Sequence, residues 1–199
     1  APGPINLENG YFGRMTRGVA QDYQRQVDFI NRSNSVHVRQ RFDDTQSLEI
    51  RAHLADMLKV EPASIALTNR ASDALQSLIR NYTGLQPGDQ LLICDLEYHS
   101  VEYAMRWVAQ QHGLEMIEIT HAHPATYESL LNGYRAAFAQ HPRIKLMALT
   151  HVTHRTGLVM PVQAIIELAK EHGVDVILDG AHALAAKMVA SGRATSAGQ

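Results

Sequence analysis

Short apolar runs alternate along this chain with stretches in which apolar residues recur at helical spacing. Five runs have the length and composition of strands: Ser64–Thr68, Gln90–Cys94, Leu114–Ile119, Ile144–Thr150 and Val174–Leu178. Helical spacing shows elsewhere. Ile50, Leu54 and Leu58 fall at i, i+4 and i+8, and Leu75, Leu78 and Ile79 form a tight stripe. Val162, Ile165, Ile166 and Ala169 do the same, and Tyr127–Phe138 sets Leu130, Leu131 and Tyr134 on one side. Turn formers punctuate the pattern at Asp43-Asp44, Gln86-Pro-Gly-Asp89, His141-Pro142 and His172-Gly173. The alternation predicts an α/β domain with a mainly parallel sheet. Strands such as Val174–Leu178 carry too little polarity for a solvated face, so helices should cover both sides in three layers.

Composition narrows the class without naming a function. The 199 residues are 45% hydrophobic and 19% charged, which excludes a disordered, collagenous or disulfide-built chain. A formal charge of -2 leaves no basic footprint for nucleic acid. Cys94 stands alone and forms no internal disulfide. No apolar run reaches the roughly 18 residues of a membrane helix. The opening Ala1-Pro-Gly-Pro4 lacks the charged and apolar regions of a signal peptide, and a start without Met is compatible with processing and export.

In open α/β sheets ligands gather at the carboxyl ends of strands, and four such ends carry chemistry here. Thr68-Asn-Arg-Ala-Ser-Asp73 enters a helix, where backbone N–H groups and the Ser72 hydroxyl attract an anion and small Ala71 lets it approach. The plain alternative is that Ser72 only caps the helix. Asp95-Leu-Glu-Tyr-His-Ser100 offers Tyr98 to stack on a flat ligand, or simply to pack. Thr150-His-Val-Thr-His-Arg-Thr-Gly157 crowds hydroxyls, imidazoles and a guanidinium into one loop. Leu178-Asp-Gly-Ala-His182 places a half-buried Asp179 where it demands a cationic or hydrogen-bonding partner. His151 and His154 with His121 and His123 invite a metal reading, but no Cys pairing or His-Glu-x-x-His pattern accompanies them, and no metal is expected. Dinucleotide, P-loop and serine-elbow motifs do not occur. A phosphate cradle, a stacking ring, a polar loop and a strand-end Asp together suit pyridoxal 5′-phosphate.

These segments, with Asn6-Leu-Glu-Asn-Gly-Tyr-Phe-Gly13, Thr68–Gln76, Thr150–Pro161 and Val176–Ala183, resemble the class V aminotransferases among fold-type-I pyridoxal-phosphate enzymes. The likeness runs over roughly residues 5–183 and is strongest to the isopenicillin-N-epimerase-like branch, including its exported pyoverdine-maturation enzymes. That likeness implies a periplasmic setting, with the cytoplasm left open by composition. It implies that Ala71 and Ser72 bind the phosphate and that Tyr98 stacks on the pyridine ring. His154 then lies near the phenolic oxygen, with Thr153 the weaker choice. Asp179 pairs with the pyridine nitrogen, and His182 lies near the phenolic oxygen. It further implies a small amino substrate and, in a complete form, a homodimer. Charge and hydropathy, not the resemblance, speak against a nucleic-acid or membrane partner.

Two departures stand out. Arg70 occupies a position where relatives carry a small residue. After Ala183 the family continues to a Ser-x-His-Lys-type segment whose Lys forms the Schiff base, whereas Leu184–Gln199 follows no such pattern, and Lys187 comes too soon. The resemblance therefore divides the chain into an N-terminal arm and helix (1–45), a partial cofactor domain (46–183) and an off-pattern tail (184–199), with no C-terminal small domain. The expected function is class V aminotransferase-type chemistry: transamination, epimerisation or lyase. On this reading the chain is truncated before its catalytic Lys and inactive alone. A non-catalytic module that keeps the cofactor fold is the alternative, and a His-based metal hydrolase is a third.

Overall fold

A computed structural model describes Gly3, Ile5 and residues 13–183. The chain divides into two compact units, Ala1–Thr68 and Asn69–Gln199.

The first unit is helical. Helix α1 (Arg17–His37) is capped by Thr16, whose hydroxyl accepts from the Val19 N–H, and it kinks at Asn34 (φ 32°). A π-helical stretch, Val38–Gln46, leads into α2 (Ser47–Leu58), which stops at Lys59 in the left-handed conformation. The turn expected at Asp43-Asp44 is therefore wound into helix. Only His37 and Ala55 are buried among this unit's described residues.

The strand expected over Ser64–Thr68 does not form. A short 3-10 turn, Pro62–Ser64, precedes extended backbone, and Leu67 is exposed. An extended segment becomes a strand only when a neighbour accepts and donates its backbone hydrogen bonds, and none of the described strands pairs here.

The second unit holds the sheet. Its strands are β1 (Gln90–Cys94), β2 (Glu115–Ile119), β3 (Ile144–Thr150) and β4 (Asp175–Asp179), all parallel, in the order β2-β1-β3-β4. Its helices are α3 (Ala71–Arg80), α4 (His99–His112), α5 (Tyr127–Gln140) and α6 (Val162–Glu171). Alternation along each strand sorts side chains to opposite faces. Leu91, Ile93, Leu146 and Ala148 pack with Leu75 and Ile79 of α3 and with Val101, Met105 and Val108 of α4. Leu92, Cys94, Met147 and Leu149 pack with Leu130, Tyr134 and Phe138 of α5 and with Ile165 of α6. Helices therefore lie on both faces, as the unbroken apolar strands require.

Two details correct the apolar pattern. Leu78 of the α3 stripe is exposed while Leu75 and Ile79 are buried. The apolar run ending at Leu178 is an edge strand of the described sheet, with Leu178 39% exposed.

Strand order locates the crevice. β1 leads through α4, on one face, to β2; its neighbour β3 leads through α6, on the other face, to β4. Where adjacent strands send their connections apart, the loops diverge and leave a cleft outside the carboxyl ends. Here that cleft lies between the ends of β1 and β3.

Candidate functional site

The wall of this cleft is joined by a residue to which the sequence reading assigned no role. Glu97, just past β1, is buried, and both its oxygens serve β3. The Thr150 N–H donates to Oε1 at 3.1 Å and the Thr150 hydroxyl to Oε2 at 2.5 Å. The Cys94 thiol donates to Oε1 at 3.4 Å. Burial pushes the Glu97 carboxyl above the usual range; the Thr150 and Cys94 bonds oppose this, and nearby Asp179 adds to it. Its partner Thr150 lies 53 positions away, so sequence spacing held no signal of the pair.

Helix α4 begins immediately after Glu97, with Tyr98 as its N-cap in extended conformation. The Tyr98 and His154 rings meet edge to face, with centroids 5.1 Å apart and planes at 89°. His99 lies 5.9 Å from His154, and the Arg155 guanidinium contacts its Nε2 at 3.0 Å. Burial is the main cause that lowers His154 from the usual imidazole range; the positive fields of Arg155, His99 and His182 add to it, and Asp179 opposes. These effects favour the neutral ring over the charged one. Its Nδ1 is buried without a hydrogen-bond partner.

The loop after β3 is braced by its own atoms. Val152 bridges Val159, Gly157 takes a positive φ of 67°, and the Thr153 and Thr156 hydroxyls lie 2.6 Å apart. Thr153 is buried and its Oγ1 accepts from the Leu158 N–H, so it shapes the loop that presents His154. At the end of β4, Asp179 is paired in register with Thr150 and is 7% exposed. Its Oδ1 accepts from the Ala181 N–H at 2.9 Å. His182 follows three residues after Asp179 and is half-buried.

Helix α3 opens at Ala71 after an extended Arg70. Ser72 is half-buried, and the Ser100 hydroxyl approaches its Oγ at 3.3 Å, while Gln76 Nε2 donates to the Ser100 carbonyl at 2.7 Å. The first turns of α3 and α4 are thus held side by side. In α3 the Asp73 and Ala74 N–H groups bond back to the Arg70 carbonyl, and in α4 the Val101 and Glu102 N–H groups bond back to the Tyr98 carbonyl. The bulky Arg70 leans toward Asp73, at 3.8 Å.

The structure thus places Tyr98, His154, Asp179 and His182 at one end of the sheet, with Ala71 and Ser72 on the helix opening linked to it through Ser100. The four-histidine metal cluster does not form: among the described residues the single group with metal-ligand proximity is Cys94, Asp95 and His121. Of the motif Asn6–Gly13 only Gly13 lies within the described residues, and Lys187 and the tail lie outside them.

A family model described as aminotransferase class-V matches residues 18–191. A probable cysteine desulfurase of Vibrio cholerae is 32% identical over 123 residues, 61% of this chain and 30% of that protein. Isopenicillin N epimerase of Streptomyces clavuligerus is 29% identical over 139 residues, 68% of this chain and 33% of that protein. A solved complex of the cystine C-S lyase C-DES with its product cysteine persulfide superposes with a TM-score of 0.73 at 20% identity, covering 87% of this chain and 46% of that one. The cysteine desulfurase of Escherichia coli gives 0.68 at 22% identity, over 88% and 44%. The chain spans about a third of the length of the first two relatives and under half of the two solved structures.

Proposed function

Because the chain belongs to the class V aminotransferase family, we propose that its strand-end cleft holds pyridoxal 5′-phosphate and that the whole protein acts on a small amino compound. The observation that carries this is the buried Asp179 side chain near His154, whose Nδ1 is buried without a hydrogen-bond partner. Such a donor set suits a flat ligand with a basic nitrogen and a polar edge. When bound, the cofactor supplies an electron-poor ring that stabilises a carbanion next to an amine.

The chain's own residues divide the work. The N–H groups opening α3 at Ala71 and the Ser72 hydroxyl would bind the phosphate. The Tyr98 ring would stack on the cofactor and shield one of its faces from water. Asp179 would hold a proton on the ring nitrogen, since a carboxylate favours the charged form. His154 and His182 would meet the phenolic oxygen. Glu97 acts at one remove, by tying the end of β1 to Thr150. Transamination, epimerisation and lyase outcomes all use this set, and a second copy of the chain would complete the site by the same resemblance.

Titration with pyridoxal phosphate, followed by visible absorbance, tests the reading. Saturable binding is expected, weakened at least about tenfold (~1.4 kcal/mol) by Asp179→Asn and by about 1 kcal/mol by Ser72→Ala. Equal affinity in both folded variants would place the cofactor elsewhere. For the 199 residues alone we expect reversible binding, with borohydride fixing no cofactor to Lys187; a reduced Lys187 adduct would reassign the Schiff-base position.

A further inference from the structure

A second cluster sits at the same end of the sheet, outside the cofactor cleft and toward α5. Cys94 ends β1, Asp95 follows it, and His121 lies two residues after β2. The Cys94 sulfur, an Asp95 carboxylate oxygen and a His121 ring nitrogen all lie within 4.8 Å of one another. The two segments are already tied together. The Asp95 N–H donates to the Ile119 carbonyl at 3.0 Å, and the His121 N–H donates to Asp95 Oδ1 at 3.2 Å. Cys94 and His121 are both 3% exposed.

The His121 ring is the anomaly. Its Nε2 is buried with no hydrogen-bond partner, and the nearest aromatic neighbour, Tyr134, is packed against it with centroids 5.6 Å apart. A buried ring nitrogen left unpaired is costly. A thiol, an imidazole and a carboxylate share one kind of partner that satisfies all three, a borderline Lewis acid.

We propose that Cys94, Asp95 and His121 bind a divalent transition-metal ion of the zinc class. Sulfur and imidazole ligands select zinc-like ions over magnesium or calcium, which prefer an all-oxygen shell. One thiolate and one carboxylate neutralise a dication, so the loaded site carries no net charge into its buried surroundings. Three protein ligands leave a fourth tetrahedral position for water. Binding forms a metal–sulfur bond and breaks the Cys94 S–H bond; the proton leaves to solvent and no electron is transferred. The thiol then ceases to donate to Glu97, which keeps both bonds from Thr150. The ion would pin the end of β1 to the loop after β2.

The test loads the folded chain with Zn²⁺, removes excess by dialysis, and repeats the loading with Co²⁺ as a spectroscopic probe. One equivalent retained, a near-ultraviolet thiolate-to-cobalt band and about one proton released per ion at neutral pH are expected. Cys94→Ser should abolish the band and His121→Asn should weaken retention at least about tenfold, with circular dichroism reporting the fold. Zinc retained with undiminished affinity by folded Cys94→Ser would put the ion on other histidines and overturn the proposal. So would wild-type chain that retains no zinc, or that binds it without releasing a proton. The wild-type readouts decide the matter even where a variant fails to fold.

Discussion

Glu97 shows how much one side chain carries at this end of the sheet. Its oxygens accept from the Thr150 N–H and hydroxyl, groups that are buried and would otherwise be unpaired. Glu97→Ala is expected to cost about 2–4 kcal/mol, because two donors lose their acceptor and a cavity opens. Glu97→Gln keeps an acceptor oxygen and volume, and should cost about 1 kcal/mol. Urea unfolding of both variants checks the order; equal losses would mean that the second acceptor oxygen, which both variants lack, and not the volume, is what matters there. Tyr98, His154 and Asp179 were visible in the sequence as polar residues following apolar runs, and each lies at the end predicted for it. Glu97 sits in the same Asp95–Ser100 segment but gives no signal there, since its role comes from a partner on another strand.

Strands β1 and β3 were legible because each is an apolar run buried on both faces. The outer strands β2 and β4 showed only as short runs bounded by turn residues, with Glu115, Glu118 and Leu178 exposed. Both Leu146 and Met147 are fully buried, and they point into opposite layers. Leu146→Ala and Met147→Ala should each cost about 2–5 kcal/mol, and the double variant should show the sum, because the two cavities share no lining. Denaturant melts of the three variants measure this; strong non-additivity would mean that the layers are coupled through β3. At the start of α5, Thr126 and Ser129 cap each other's backbone N–H groups. Thr126→Ala is expected to lower stability by about 1 kcal/mol in the same melts. Local spacing failed where pairing decides. Ser64–Thr68 has strand composition but no paired neighbour among the described strands, and Asp43-Asp44 has turn composition inside a continuous helix.

Across the molecule, protonation links the cleft to stability. Partial burial of its ring chiefly lowers His154 from the ordinary imidazole range in the folded state. Between the folded value and the ordinary one the unfolded chain binds more protons, so stability is fullest above about pH 6.5 and is lost as pH falls through the folded value. The drop in urea midpoint from about pH 7.5 to about pH 5.5 should therefore be smaller in His154→Asn than in wild type. An identical drop in the variant would show that His154 contributes nothing to it. None of the described helices is long and apolar enough to cross a membrane.

Residue pattern alone sufficed for the class of fold and for four of the five strands it predicted, because apolar runs between turn residues leave a local signature; the family came from the resemblance of its ordered motifs. Tertiary structure decided the rest. Strand order set the switch point between β1 and β3, and with it the cleft that gathers Tyr98, His154 and Asp179. Register brought Glu97 onto Thr150, and the β1–β2 pairing carried a solitary Cys94 to an orphaned His121. Those meetings join positions far apart in the chain, and only backbone pairing and packing bring them within reach.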